Sequence, residues 1–123
     1  MTQLAVKQPI IDNRKIRKKI GRNCSIRAFG LIDEIGYQLQ DFFDRNTTTL
    51  SIHDVPVRLS DTARVVMDAS YICMDCRSEA THYVIHRETN LTKHPYSISF
   101  FHVDPNHGIM MHTKDHVIPK SLG

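Results

Sequence analysis

Between Ser25 and Arg45 the apolar residues Ala28, Ile32, Ile35, Leu39, Phe42 and Phe43 recur at three- and four-residue spacing. That period places them on one face of a helix and predicts a helix over 25–45. Gly30 and Gly36 weaken it, Asn46 ends it, and Thr47-Thr48-Thr49 does not favour its continuation. Upstream, residues 1–12 have no clear period and read as an arm. Residues 13–22 read as a short helix, against which Gly21 and the dense charge work. In "TLSIHDVPVRLS" (49–60) apolar and polar residues alternate, which predicts a hairpin turning at His53-Asp54. Ser60 has the chemistry of an N-cap and Asp61 suits a first helical turn, so a short helix is expected from Asp61 to about Ala69.

After Cys76 the texture becomes β. Residues 81–87, 96–104 and 108–118 are enriched in aromatic and β-branched types. Asn90 and Lys93-His94-Pro95 separate the first two strands, and Asp104-Pro105-Asn106-His107-Gly108 the last two. The expectation is a small antiparallel three-stranded meander following N-terminal helices, hence an α+β chain. The segments expected are a basic arm (1–24), a helix plus short hairpin (25–59) and a partly zinc-stapled β unit (60–123).

Composition narrows the class. A length of 123 residues suits one domain, or one domain with an arm. No run of 18 apolar residues and no apolar leader are present, so a cytoplasmic location without a membrane span is expected. The net charge of +3 is modest but uneven. The first thirty residues hold eight cations, Lys7, Arg14, Lys15, Arg17, Lys18, Lys19, Arg22 and Arg27, against Asp12 alone. Such a cluster suits a polyanion, because each neutralised phosphate releases counterions. The bland alternative is a solvated arm.

Three residue types carry candidate chemistry. Cys73-x-x-Cys76 is half of a tetrahedral zinc site: two thiolates from one turn, with two positions open. A non-secreted chain of this size favours a metal staple there over a disulfide. His82, His86, His94, His102, His107 and His112 follow downstream as candidate ligands, none at a zinc-finger spacing, and each alone reads as an ordinary strand histidine. Cys24, far upstream, reads as a small buried hydrophobe. Asp115-His116 differs. A neutral imidazole can take a proton from water, and a neighbouring carboxylate can hold a divalent metal. Adjacent strand residues point to opposite faces, so a local twist is needed before both serve one site. Pro119 then takes the chain out of the strand.

"TKDHVIPKSLG", preceded by three short strands and by Cys-x-x-Cys about forty residues upstream, resembles the first half of an HNH endonuclease domain. These are zinc-stapled members of the ββα-metal nucleases, frequent in bacteriophages. The resemblance covers roughly residues 57 to 123. It implies that His116 is the general base activating water and that Asp115 helps hold one Mg²⁺ or similar ion on the scissile phosphate. It further implies zinc at Cys73 and Cys76, and DNA as the partner. Arg14, Lys15, Arg17, Lys18, Lys19, Arg22 and Lys120 would contact phosphates, and the location would be the host cytoplasm if the protein is phage-encoded.

The family pattern continues into a second strand and a helix bearing an asparagine, a further histidine or asparagine, and a second Cys-x-x-Cys. These 123 residues contain none of that. The expectation is therefore an incomplete ββα-metal motif, truncated before its second metal-binding half and weak or inactive alone. A complementing C-terminal fragment, or a homo-oligomer pooling Cys73/Cys76 pairs around one zinc, would complete it. The alternative is a non-catalytic module that binds nucleic acid or protein.

Overall fold

The computed structural model describes residues 11–21, 23–45, 49–73, 77–91 and 93–112, with backbone alone over 42–45. Its elements in chain order are α1 (Asn13–Ile20), β1 (Cys24–Leu31), a 3-10 turn (Ile32–Ile35), α2 (Gly36–Arg45), β2 (Thr49–Ile52) and β3 (Val55–Arg58). α3 (Asp61–Asp68), β4 (His82–Glu88), β5 (Tyr96–Asp104) and β6 (Gly108–His112) follow.

The strands form one six-stranded mixed sheet, ordered β1-β4-β5-β3-β2, with β6 also on β5. β4 lies antiparallel along one edge of β5. The other edge is shared: β3 pairs in parallel with Tyr96 and Ser97, and β6 pairs antiparallel with Phe100 to Asp104. The fold is thus α+β as expected, but the expected three-stranded meander is not a unit of its own. Two of its strands, β4 and β5, are the middle of a larger sheet, β6 pairs with β5 alone, and the flanks, β1 on one side and β2–β3 on the other, come from earlier in the chain.

Strand alternation decides the layers. Tyr83, Ile85, Ile98 and Phe100 point to one face, where they bury Ile32, Ile35 and Leu39 together with Ala63, Val66 and Met67 of α3. Val84, Phe101 and Ile109 point to the other face and receive Ile16 of α1. Helices therefore cover both faces, and Phe100 and Phe101 are 1% and 0% exposed.

Several local expectations hold. His53 and Asp54 both have positive φ (54° and 61°), as a two-residue turn between right-twisted strands requires. Ser60 caps α3 through its hydroxyl, which accepts from the Ala63 N–H at 3.2 Å. Gly108, the first residue of β6 after the turn, has φ 74°, where a Cβ would be strained.

The helix expected over 25–45 is corrected. Residues 24–31 are strand β1, paired antiparallel with β4 from Cys24↔Glu88 to Leu31↔His82. The helical spacing is real only from Ile32 onward. Before it, Ser25-Ile26-Arg27-Ala28-Phe29 fits a pleated surface equally well, and pairing with β4 decides the outcome. A bulge between Ile26 and Ala28 breaks strict alternation and helps disguise the strand. The Phe42 and Phe43 side chains lie outside the described residues.

Ile16 is fully buried, whereas Arg17 beside it is exposed. Ile16→Ala is expected to lower unfolding free energy by about 2–5 kcal/mol in urea titration, and Arg17→Ala to leave the midpoint nearly unchanged. Equal effects would contradict the docking of α1 through Ile16.

Candidate functional site

α1 is built from "NRKIRKKI" with a single fully buried side chain. Asp12 caps it, accepting from the Lys15 N–H at 3.0 Å, and Gly21 closes it by donating to the Arg17 carbonyl at 2.9 Å. Ile16 faces the sheet and Ile20 is half-buried, so Arg14, Lys15, Arg17, Lys18 and Lys19 are all exposed. Arg17, Lys18 and Lys19 occupy the last turn, where the helix dipole favours cations. Arg27, exposed on the bulge of β1, shares with Asn13 an open groove of about 510 Å³. Five of the seven expected phosphate-binding residues are thus gathered on one solvent-facing helix. Arg22 and Lys120 lie outside the described residues.

Cys73 follows α3 through a tight reversal in which Ser70 and Tyr71 have φ of 56° and 64°. It then opens a second turn. The Cys73 N–H donates to the Ser78 carbonyl, and the Arg77 N–H donates to the Cys73 carbonyl, both at 2.9 Å. Arg77 has φ 61°, and Ile72 bridges Glu79 just outside. Cys73 therefore stands at the start of a narrow loop, 1% exposed. Soft thiolate donors suit zinc, and a Cys-x-x-Cys pair would supply two of the four that it needs. Cys76 lies outside the described residues, as do Asp115, His116 and Pro119. Among the described residues, no three His, Cys, Asp or Glu side chains form a group that would hold a metal ion. The Asp115 carboxylate is a hard oxygen donor of the kind Mg²⁺ prefers, and Mg²⁺ takes one or two carboxylates while keeping several waters.

The described histidines sort by partner. His53 Nε2 meets the Tyr83 hydroxyl at 2.8 Å, and His86 Nε2 meets Ser99 Oγ at 2.9 Å. His82 stacks on Phe101 and bonds Thr81 Oγ1 at 2.7 Å. His107, exposed, lies 3.2 Å from the Asp104 carboxylate. Two backbone N–H groups, from Asn106 and then His107, hold that carboxylate below its ordinary pKa. Each of these four imidazoles therefore has a partner within the fold. Burial pushes the Cys24 thiol up, with Glu88 adding to it, and Cys24 is indeed a buried hydrophobe at 8% exposure.

One arrangement is not evident in the residue pattern. His102 Nδ1 and His112 Nε2 lie 2.8 Å apart. A signal for it exists: the β5–β6 turn sets Phe100 opposite His112 and His102 opposite Met110, so the two histidines are diagonal neighbours on one face.

His86 carries a pH consequence. Burial lowers its pKa, and burial likewise lowers that of His82 against an opposing pull from Glu34. The unfolded imidazole, near pH ~6.5, binds its proton first. The stabilisation is therefore complete above that value and is lost as pH falls through the lower folded value. His86→Gln retains a partner for Ser99 but cannot titrate. Between about pH 7.5 and pH 5 its melting temperature is expected to fall less than the parent's. Equal falls would show that His86 does not contribute. No described helix is long and apolar enough to cross a membrane. No family model, no curated protein and no solved structure matches this chain.

Proposed function

We propose that this protein acts on DNA as an HNH-type, metal-dependent endonuclease module. In this reading α1 engages the phosphate backbone and the Asp115-His116 pair serves phosphodiester hydrolysis. The observation that carries it is the packing of α1 against β6. Ile16, beneath the five cations of α1, packs with Ile109 of β6 in one buried cluster. Asp115 follows the end of β6 by three residues in sequence. Cations that grip a phosphate backbone would thus belong to the same rigid unit as the strand leading towards the hydrolytic residues.

The roles follow from the residues' chemistry. His116, as a neutral imidazole, would take the proton of the attacking water. Asp115 would help hold Mg²⁺, which when bound neutralises charge on the phosphate oxygens in the transition state. Arg14, Lys15, Arg17, Lys18 and Lys19 would hold the duplex by charge without reading its sequence. Cys73 and Cys76 would supply two thiolates to a structural zinc. The further metal donors that the HNH resemblance implies are absent from these 123 residues. Cleavage is therefore best assayed on the longest reading frame that contains them.

Two measurements test this. In fluorescence anisotropy with duplex DNA, Arg17→Glu/Lys18→Glu should weaken binding and flatten its salt dependence. The slope should fall by roughly one for each phosphate no longer neutralised. In plasmid cleavage with Mg²⁺, His116→Ala should slow the reaction by about 10²–10⁴, the usual contribution of a general base. Salt-sensitive binding without any cleavage would leave the non-catalytic binding module as the correct description. Cleavage indifferent to His116 would remove its assigned role.

A further inference from the structure

We propose that His102 and His112 are paired imidazole ligands for a zinc-class transition-metal ion. This stands on the pair itself and is independent of zinc at Cys73 and Cys76. His112 is 4% exposed, and its Nε2 is directed at His102 Nδ1 at 2.8 Å, with the ring planes inclined by 82°. The two side chains project from adjacent antiparallel strands in fixed register. Little ordering is left to be done on binding, which is what makes a chelate effective. In a tetrahedral site with Zn–N near 2.0–2.1 Å, two ligand nitrogens stand about 3.3 Å apart. The observed pair needs to open by only about half an ångström to admit the ion, a small rotation about side-chain torsions.

Chemistry selects the ion. Two neutral imidazoles suit zinc, copper, nickel or iron, whereas Mg²⁺ and Ca²⁺ prefer oxygen. The pair therefore takes a different class of ion from the Asp115 carboxylate. It lies on the face of the sheet that carries α3, opposite to α1. Tyr71 sets its ring edge against Phe100, the register partner of His112, at 5.2 Å between centroids. Cys73 is two residues beyond Tyr71. Tyr71 thus lies on the pair's side of the sheet, and among the described residues Cys73 does not join the two histidines in a three-ligand group.

The test is Zn²⁺ affinity, measured by competition with a fluorescent chelator, in the parent chain and in His102→Ala, His112→Ala and Cys73→Ser. Folding is checked by circular dichroism. Each histidine variant should weaken zinc at least about tenfold, since even losing an outer-shell partner costs that much. If His112→Ala does not fold, His102→Ala carries the test, because its ring is only half-buried. Unchanged affinity in the folded histidine variants overturns the proposal. Should Cys73→Ser then abolish binding, the thiolate zinc reading survives without the histidines; should it also change nothing, both fail.

Discussion

Phe100 and Phe101 are consecutive residues on the middle strand, and both are buried. A pleated strand sends them to opposite faces, so both can be buried only if both faces of the sheet are covered. This constraint organises the molecule. Phe100 draws α3, the 3-10 turn and α2 to one side, and Phe101 draws α1 to the other. It also explains why the two ends of the described chain meet. The strand after β4 must be paired on both edges, and β3 and β6 divide one of those edges between them.

The basic helix is held by this arrangement rather than by its own propensity. Eight residues are too few for a stable isolated helix. Arg14 with Lys18, and Lys15 with Lys19, are like-charge pairs at i,i+4 that each cost about 0.2–0.5 kcal/mol. Burying Ile16 contributes about 1.5–3 kcal/mol, and the Asp12 cap about 1 kcal/mol. Packing therefore outweighs repulsion, and five exposed cations can be displayed at a modest cost. A charge cluster in a flexible arm would have to be ordered by its ligand; here most of it is already ordered by an isoleucine on the sheet.

The candidate sites were legible to different depths. The helix cations, the Cys-x-x-Cys spacing and the Asp-His pair are visible as strings of residue types. The hairpin at His53-Asp54, the Ser60 cap and the strands from β4 onward were also readable, because turn and cap chemistry is local. The stretch 24–31 was not. Its apolar residues match a helical period about as well as a bulged strand, and the choice rests on β4, more than fifty residues away in sequence. The His102–His112 pair was hidden for a related reason. Each histidine alone is unremarkable, and only the register across the Asp104–Gly108 turn makes them neighbours.

By itself the sequence determined the class of the protein: α+β, with cations concentrated early, a thiolate pair in the middle and an Asp-His pair late. It also determined every element whose signal is a cap, a turn or a simple alternation. The tertiary structure alone decided that residues 24–31 are an edge strand, that the expected meander strands are built into a six-stranded sheet, and that α1 and the strand preceding Asp115 share one core through Ile16 and Ile109. The physical reason is range. Caps and turns are satisfied within a few residues, whereas strand pairing and two-sided burial are settled by partners that the local sequence does not name.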